Sequence, residues 1–113
     1  MTVTIYHNPR CNTSRKTLAL LEKKGVTPRV IEYLKTPPTA AELKQLLAKL
    51  GLKPRELLRK KEAKEAGLDK PDLSDPQLIA GMVKHPIAIE RPIVVNGSRA
   101  ALGRPPEAVL KIL

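Results

Sequence analysis

The residue with the clearest chemical potential in this sequence is its single cysteine, Cys11. It follows a β-branched and aromatic stretch, residues 3–6, and a turn-forming loop, and it begins a pattern typical of a helix. A helix N-terminus offers unpaired N–H groups and partial positive charge, which favour a thiolate and can hold an oxyanion. The sequence therefore predicts a nucleophile at Cys11. The alternative is a buried, inert cysteine, against which its polar neighbours argue.

The residues that follow the cysteine have the spacing of a redox motif. The sequence Cys11-Asn12-Thr13-Ser14 matches the C-x-x-C motif with serine in place of the second cysteine. A two-cysteine motif resolves its own mixed disulfide, but a chain with one cysteine cannot do so. Any covalent intermediate on Cys11 must therefore be released by an outside thiol.

Nearby basic residues favour an anionic substrate, but their spacing excludes one class of enzyme. His7, Arg10 and Arg15 lie close to Cys11 in sequence and can add positive charge. Cysteine phosphatases place an arginine after five intervening residues, and the matching position here is Thr17. The nearer arginine, Arg15, has the wrong spacing, so the phosphatase interpretation fails.

Composition narrows the class of protein further. The 113 residues are enough for one domain, and Lys and Arg number 21 against 11 acidic residues, a net charge of +10 that attracts anions. Tyr6 and Tyr33 are the only Phe, Trp or Tyr residues, so few side chains could stack on nucleic-acid bases. A nucleic-acid role is therefore disfavoured. One cysteine and no long apolar run indicate a cytoplasmic protein without a membrane segment, and we expect a monomer.

The hydrophobic pattern predicts an α/β fold that positions Cys11. Residues 3–6 and 29–34 predict strands joined by a helix over residues 11–24, whose core face is Leu18, Leu20 and Leu21. This strand–helix–strand order implies parallel pairing. Capping-box patterns at residues 39–42 and 74–77, with a helical turn after Pro54, predict a helical insertion over residues 39–85.

The C-terminal part of the chain predicts a hairpin and a last helix. Residues 93–95 are typical of a strand, and Asn-Gly at 96–97 is a strong hairpin signal, so residues 99–102 should pair back antiparallel. A helix begins near Pro105, with Val109, Leu110 and Leu113 facing the core. The predicted architecture is a single domain with a small mixed sheet: two parallel strands plus this antiparallel hairpin.

The residues around Cys11 resemble the active-site loop of the ArsC-type, glutaredoxin-coupled arsenate reductases. The matching loop is Tyr6-His7-Asn8-Pro9-x-Cys11-x-Thr13-Ser14-Arg15. Residues 57–60, 85–87, 91–95 and 103–105 agree with the same family in order and spacing. The resemblance extends from Val3 to Leu113 and implies a thioredoxin-like fold. Within the family, the chain is similar to the short arsenate-reductase-like members.

The resemblance implies a role for each matching residue. Cys11 would be the nucleophile, and His7 is similar to the histidine that helps to hold the cysteine ionised. Residues Asn12, Thr13, Ser14 and Arg15 would form the active-site loop, Arg59, Arg91 and Arg104 would bind the oxyanion and the covalent intermediate, and Pro92 would be a cis-proline facing the cysteine. The alternatives are a solvated surface charge for each arginine and a turn-stabilising hydrogen bond for the histidine.

Three arginines suit this chemistry on physical grounds. Arsenate at neutral pH is mostly a doubly charged anion, and a thiolate a few ångströms away repels it by several kcal/mol at an effective dielectric near 20. Guanidinium groups stay charged and match a tetrahedral oxyanion in a bidentate manner. They can therefore cancel the repulsion and stabilise the charge that develops as an oxygen leaves.

The resemblance also implies the reaction sequence and its partners. The Cys11 thiolate attacks arsenate and water leaves; glutathione attacks next, arsenic is reduced to the (III) state, and glutathione remains linked to Cys11. Glutaredoxin then removes the glutathione and arsenite leaves. No bound cofactor or metal is expected; glutathione acts as a co-substrate and glutaredoxin as a protein partner.

Two other functions remain open on the sequence. Spx-type regulators share this fold and bind RNA polymerase without catalysis, but their switch uses a C-x-x-C motif, and position 14 here is serine. A polymerase-binding role that does not use this switch remains open. A glutathione-dependent thiol transferase is also compatible with the C-x-x-S motif, although it would leave the three arginines without a clear purpose.

Overall fold

The computed structural model describes residues 2–113, which form four strands and seven helices, three of them 3-10 helices. The strands are β1 (Val3–His7), β2 (Arg29–Glu32), β3 (Ile93–Asn96) and β4 (Arg99–Leu102). The α-helices are α1 (Asn12–Lys23), α2 (Ala40–Leu50), α3 (Lys60–Glu65) and α4 (Asp75–Lys84), and the 3-10 helices are Pro54–Leu57, Pro86–Ala88 and Pro106–Ile112. Every helix among these residues is too short or too polar to cross a bilayer.

The strands form one mixed sheet in the order β2-β1-β3-β4. β1 pairs parallel with β2 and antiparallel with β3, and β3 pairs antiparallel with β4. The predicted α/β class, with two parallel strands and a C-terminal antiparallel hairpin, is confirmed. The register sets Tyr6 opposite Ile93 and Ile93 opposite Leu102, so the segments just beyond these three residues meet at one end of the sheet.

Contacts divide the chain into two compact units. The first holds residues 2–36 together with Arg91–Leu113, and the second is Pro37–Glu90. The second unit spans the residues for which a helical insertion was predicted; that the chain is one domain stays a prediction. The core of the first unit consists of apolar residues from the sheet, α1 and the last 3-10 helix: Val3, Ile5, Leu21, Val94, Val109 and Ile112.

In the second unit, both predicted capping boxes are present. Thr39 caps α2 with Glu42 as its reciprocal partner, and Ser74 caps α4 with Gln77. Gly51 ends α2 in the left-handed conformation, which glycine adopts without a Cβ clash. The buried residues of α2 and α4 lie at helical spacing and form the apolar faces of these helices: Leu43, Leu46, Leu47, Leu78, Ile79 and Met82.

Several element boundaries differ from the sequence predictions. β2 ends at Glu32, two residues early, because the carbonyl of Glu32 accepts turn bonds from the backbone N–H groups of Lys35 and Thr36. The last helix is a 3-10 helix, and its tighter winding buries Val109 and Ile112 while Leu110 and Leu113 are exposed. The predicted core face at Leu110 and Leu113 was therefore wrong.

The core face of α1 also differs from its prediction. Its buried residues are Ser14, Thr17 and Leu21, whereas Leu18 and Leu20 are only partly buried against the core. α3 follows the 3-10 helix at Pro54–Leu57 and was not predicted, since its six residues carry few apolar side chains to reveal a period.

Candidate active site

Cys11 is the N-cap residue of α1, one position outside the helix rather than its first residue. Its backbone is extended, and its carbonyl accepts the first helical bond, from the N–H of Arg15 at 3.0 Å. The preceding turn is closed by the Cys11 N–H, which donates to the Asn8 carbonyl at 3.0 Å, and by the Asn8 side-chain oxygen, which accepts from the Arg10 N–H. These local hydrogen bonds fix the loop, since asparagine side chains in turns commonly accept from the backbone two residues further on.

A buried hydrogen-bond network lies under this loop. The Ser14 hydroxyl is 2.6 Å from His7 Nδ1 and accepts from the backbone N–H of Asn8 at 3.0 Å. His7, Asn8 and Ser14 are all buried. Ser14, which stands in place of the second cysteine of a C-x-x-C motif, therefore ties the first turn of α1 to the end of β1. This contact holds the helix N-terminus in place beneath Cys11.

His7 contributes little positive charge to the thiol near neutral pH. Burial lowers the pKa of His7; Glu32 opposes this shift and Arg15 adds to it, and the net pKa is below the ordinary value. The ring is therefore mainly neutral at pH 7. Its contact with Ser14 means that any influence on Cys11 passes through the loop; the predicted role in holding the cysteine ionised stays a prediction.

The surroundings of Cys11 favour its thiolate. Burial raises the pKa of Cys11, but the Ser14 backbone N–H and the Arg91 side chain hydrogen-bond the sulfur, and the charges of Arg104 and Arg91 act in the same direction. These contacts outweigh the burial, and the net pKa is below that of an ordinary thiol. The sulfur remains partly exposed, so a reactant can reach it.

Two of the three predicted oxyanion arginines lie at this sulfur. Arg104 Nη2 is 3.7 Å from Cys11 Sγ, and Arg104 Nε donates to the Arg91 carbonyl at 2.7 Å. The sheet register explains this meeting, because Arg91 precedes β3 and Arg104 follows β4 at the end where β1 leads to Cys11. The Arg91–Pro92 and Arg104–Pro105 peptide bonds are both cis.

The third predicted arginine, Arg59, belongs to the second unit. It is the N-cap of α3, and its guanidinium pairs with Glu62 at 3.0 Å and with Glu90 at 3.8 Å. These carboxylates offset part of its charge. The structure brings Arg91 and Arg104 to Cys11 within one unit, and the role of Arg59 stays a prediction.

The rest of the predicted loop forms the first turn of α1. Asn12 is exposed and Thr13 is half-buried, and the Thr13 carbonyl accepts from the Thr17 hydroxyl at 2.8 Å. The Arg15 guanidinium lies on the outer side of the loop, where Nη1 donates to the Pro9 carbonyl at 2.9 Å.

Sequence reasoning missed the structural part played by Thr17 and Gly103. Thr17 is fully buried, and a Cβ added to Gly103 would lie 2.5 Å from Thr17 Oγ1 and 2.7 Å from Pro92 Cγ. Gly103 also donates its N–H to the Pro92 carbonyl. The absence of a side chain at position 103 therefore lets β4 pass close to α1 and deliver Arg104 to the sulfur. The helical spacing of Thr17 from Ser14 was the available signal.

Comparison with known proteins identifies one family. The model of the ArsC family matches residues 6–112. A protein of Rhizobium meliloti (strain 1021) named arsenate reductase is 50% identical, over 100% of this chain and 82% of its own length. The uncharacterized protein YfgD of Escherichia coli (strain K12) is 53% identical, over 98% of this chain and 96% of its own. The solved structure of an arsenate reductase from Vibrio cholerae is 54% identical, with a TM-score of 0.96 over 100% of this chain and 98% of the other.

Proposed function

This chain belongs to the ArsC family, and on that premise we propose that it reduces arsenate to arsenite with Cys11 as the nucleophile. The relatives that carry the name arsenate reductase support this activity. The observation that carries the proposal is the contact between Arg104 Nη2 and Cys11 Sγ at 3.7 Å, at the N-cap of α1. It joins a sulfur whose pKa is lowered and a guanidinium cation at one partly exposed point.

This arrangement suits attack on a doubly charged oxyanion. Arg91 and Arg104 favour the Cys11 thiolate, and the same guanidinium groups offer further N–H donors to arsenate oxygens. The unpaired N–H groups at the start of α1 add partial positive charge. Together they reduce the repulsion between thiolate and arsenate and stabilise the charge on the oxygen that leaves.

The electron balance requires thiols from outside the chain. Cys11 forms a sulfur–arsenic bond while an arsenic–oxygen bond breaks and the oxygen leaves, protonated, as water. Reduction to arsenic(III) then needs two electrons, which two thiols supply by ending as one disulfide. Because the chain has a single cysteine that returns to its thiolate, both thiols come from outside. We assign these roles to glutathione, as co-substrate, and to glutaredoxin.

Arg104→Gln tests the proposed use of the arginine. Without the guanidinium, the anion loses a charged donor, and kcat/KM for arsenate is expected to fall by about 100-fold. The Cys11 pKa should rise, because Arg104 lowers it in the native protein. Arsenate-dependent NADPH consumption, coupled through glutaredoxin and glutathione reductase, measures the first effect. The pH dependence of the alkylation rate by iodoacetamide measures the second.

Arg99→Gln is the matched control. Arg99 is exposed and lies at the hairpin end of β4, opposite Asn96. Its replacement by glutamine removes the same charge as Arg104→Gln, at a position away from Cys11. We expect its kcat/KM for arsenate to stay within about twofold of the native value, as exposed charges usually contribute little. An equal loss in both variants would mean that only the overall charge of the chain matters, and would contradict the assigned role of Arg104.

A further inference from the structure

The segments that form the site carry no acidic residue of their own. Residues 2–21 and residues 91–106 contain no Asp or Glu, although the first turn of a helix such as α1 is where acidic side chains are most favourable. The basic residues of these segments are Arg10, Arg15, Lys16, Arg91, Arg99 and Arg104; of these, Arg91 is buried and Arg99 lies at the hairpin end of β4, away from Cys11. Any molecule that approaches Cys11 along the loop therefore meets a cationic surface, which favours an anionic reactant.

Arg15, like Arg10, Lys16 and Arg99, is not among the charges that lower the Cys11 pKa. The charges that lower the Cys11 pKa are those of Arg104 and Arg91, whereas Arg15 acts on His7. Its guanidinium is anchored at one point, by the bond from Nη1 to the Pro9 carbonyl at 2.9 Å. Among residues 2–113, no carboxylate forms an ion pair with it.

This single anchor leaves Arg15 exposed but oriented. A guanidinium has five N–H donors in a rigid fork, and one of them is used by Pro9, two residues before the nucleophile. The remaining donors can bind a carboxylate in a bidentate manner. An anchored side chain also loses less conformational freedom on binding than a free one. Arg15 is thus a fixed cation at the edge of the loop, suited to a carboxylate that arrives with the second reactant.

We propose that Arg15 selects the outside thiol by binding a carboxylate of glutathione as its sulfur approaches Cys11. The inference rests on the proposed use of an outside thiol and deepens it by assigning a specificity-determining residue. Glutathione carries two carboxylates and one ammonium group, so it is an anion at neutral pH. Arg91 and Arg104 act on the oxyanion, and Arg15 acts on the thiol that follows it.

Thiol–disulfide exchange tests this proposal without arsenate. The Cys11 thiolate attacks one sulfur of oxidised glutathione, a Cys11–glutathione disulfide forms, the original disulfide breaks, and glutathione leaves as its thiolate. The same reaction with bis(2-hydroxyethyl) disulfide transfers an uncharged group. We would measure both second-order rate constants by mass spectrometry of the modified protein, for the native chain, Arg15→Gln and Lys16→Gln. Lys16 is the exposed neighbour of Arg15 on α1 and controls for the loss of one charge.

Arg15→Gln is expected to slow the reaction with oxidised glutathione about fivefold, the upper effect of one solvent-exposed ion pair. The rate with the uncharged disulfide should change less than twofold, and Lys16→Gln should leave both rates within twofold of native. An equal loss with both disulfides would show that Arg15 only holds the loop through Pro9, and would overturn the proposal. No loss with oxidised glutathione, or an equal loss in Lys16→Gln, would overturn it as well.

The two proposals fail in different ways in these measurements. If the charge-selective loss is found while the native protein does not turn over arsenate, the role of Arg15 stands and the arsenate reductase function fails. If the native protein reduces arsenate and the loss is absent, the function stands and the role of Arg15 fails.

Discussion

Replacement of Cys11 by serine is expected to reduce arsenate-dependent NADPH consumption to the rate without protein. A serine hydroxyl stays protonated at neutral pH, so it cannot form the bond to arsenic that a thiolate forms. Ser14 and the two arginines remain in this variant, but the sulfur whose thiolate they favour is absent. Loss of a nucleophile typically costs three or more orders of magnitude in kcat. The measurement is the coupled assay at saturating arsenate, glutathione and glutaredoxin.

The fold should tolerate this change, which makes the result easy to interpret. Cys11 is partly exposed, and its backbone bonds to Asn8 and Arg15 do not involve the side chain. The urea midpoint of Cys11→Ser should therefore stay close to that of the native protein, since surface substitutions change stability by about 0.5 kcal/mol or less. Arsenate-dependent turnover that survives in a folded Cys11→Ser protein would rule out Cys11 as the nucleophile.

Gly103→Ala is expected to destabilise the fold and to displace Arg104. The added Cβ would lie 2.5 Å from Thr17 Oγ1, 2.9 Å from Thr17 Cγ2 and 2.7 Å from Pro92 Cγ. Thr17 is fully buried and Pro92 is a ring fixed by its backbone, so neither side chain can move away cheaply. We expect a loss of about 2–3 kcal/mol in the free energy of unfolding, the usual cost of overpacking. Urea denaturation measures it.

The catalytic effect of Gly103→Ala should follow from the same displacement. Gly103 directly precedes Arg104, so a shift of β4 away from α1 moves the guanidinium away from Cys11 Sγ. The folded variant should therefore show a raised Cys11 pKa, detected as alkylation that requires a higher pH. A destabilised variant with an unchanged alkylation profile would mean that Gly103 supports only the fold.

Gly81→Ala is a matched control for the glycine substitution. Gly81 lies within α4, and the Cβ added there would meet the Leu68 side chain at its flexible end rather than a rigid neighbour. Alanine also gains about 1 kcal/mol over glycine in a helix interior. We expect the free energy of unfolding to change by less than about 1 kcal/mol, because the two effects oppose each other. A loss as large as that of Gly103→Ala would contradict the importance of the tight contact at Pro92.

Local sequence signals accounted for the part of the site near Cys11. The strand, the Asn-Pro turn and the start of a helix lie within twelve residues of one another, so their spacing alone places Cys11 at a helix N-terminus. The two capping boxes and the Asn-Gly hairpin were equally local, and all three are present. Short-range patterns suffice here because the interactions that decide the conformation lie within a few residues.

The contact between Cys11 and Arg104 could not be obtained in this way. It joins residues 93 positions apart, and it depends on the antiparallel register of β3 with both β1 and β4. Periodicity predicts that strands exist but does not say which strands are neighbours. Only the resemblance to a family indicated these arginines beforehand. The ion pairs of Arg59 with Glu62 and Glu90 had no sequence signal beyond the helical spacing of the first pair.

Omission of each reactant in turn from the coupled assay tests the central claim most directly. With native protein, arsenate, glutathione, glutaredoxin and glutathione reductase, we predict that one NADPH is consumed for each arsenite formed. Consumption should stop without arsenate or glutathione and should fall sharply without glutaredoxin. A complete mixture that shows no consumption, while the Cys11 thiol titrates as reduced, would contradict the account. So would consumption without arsenate and without glutaredoxin on a glutathionylated peptide that needs this protein, since that result would identify a thiol transferase.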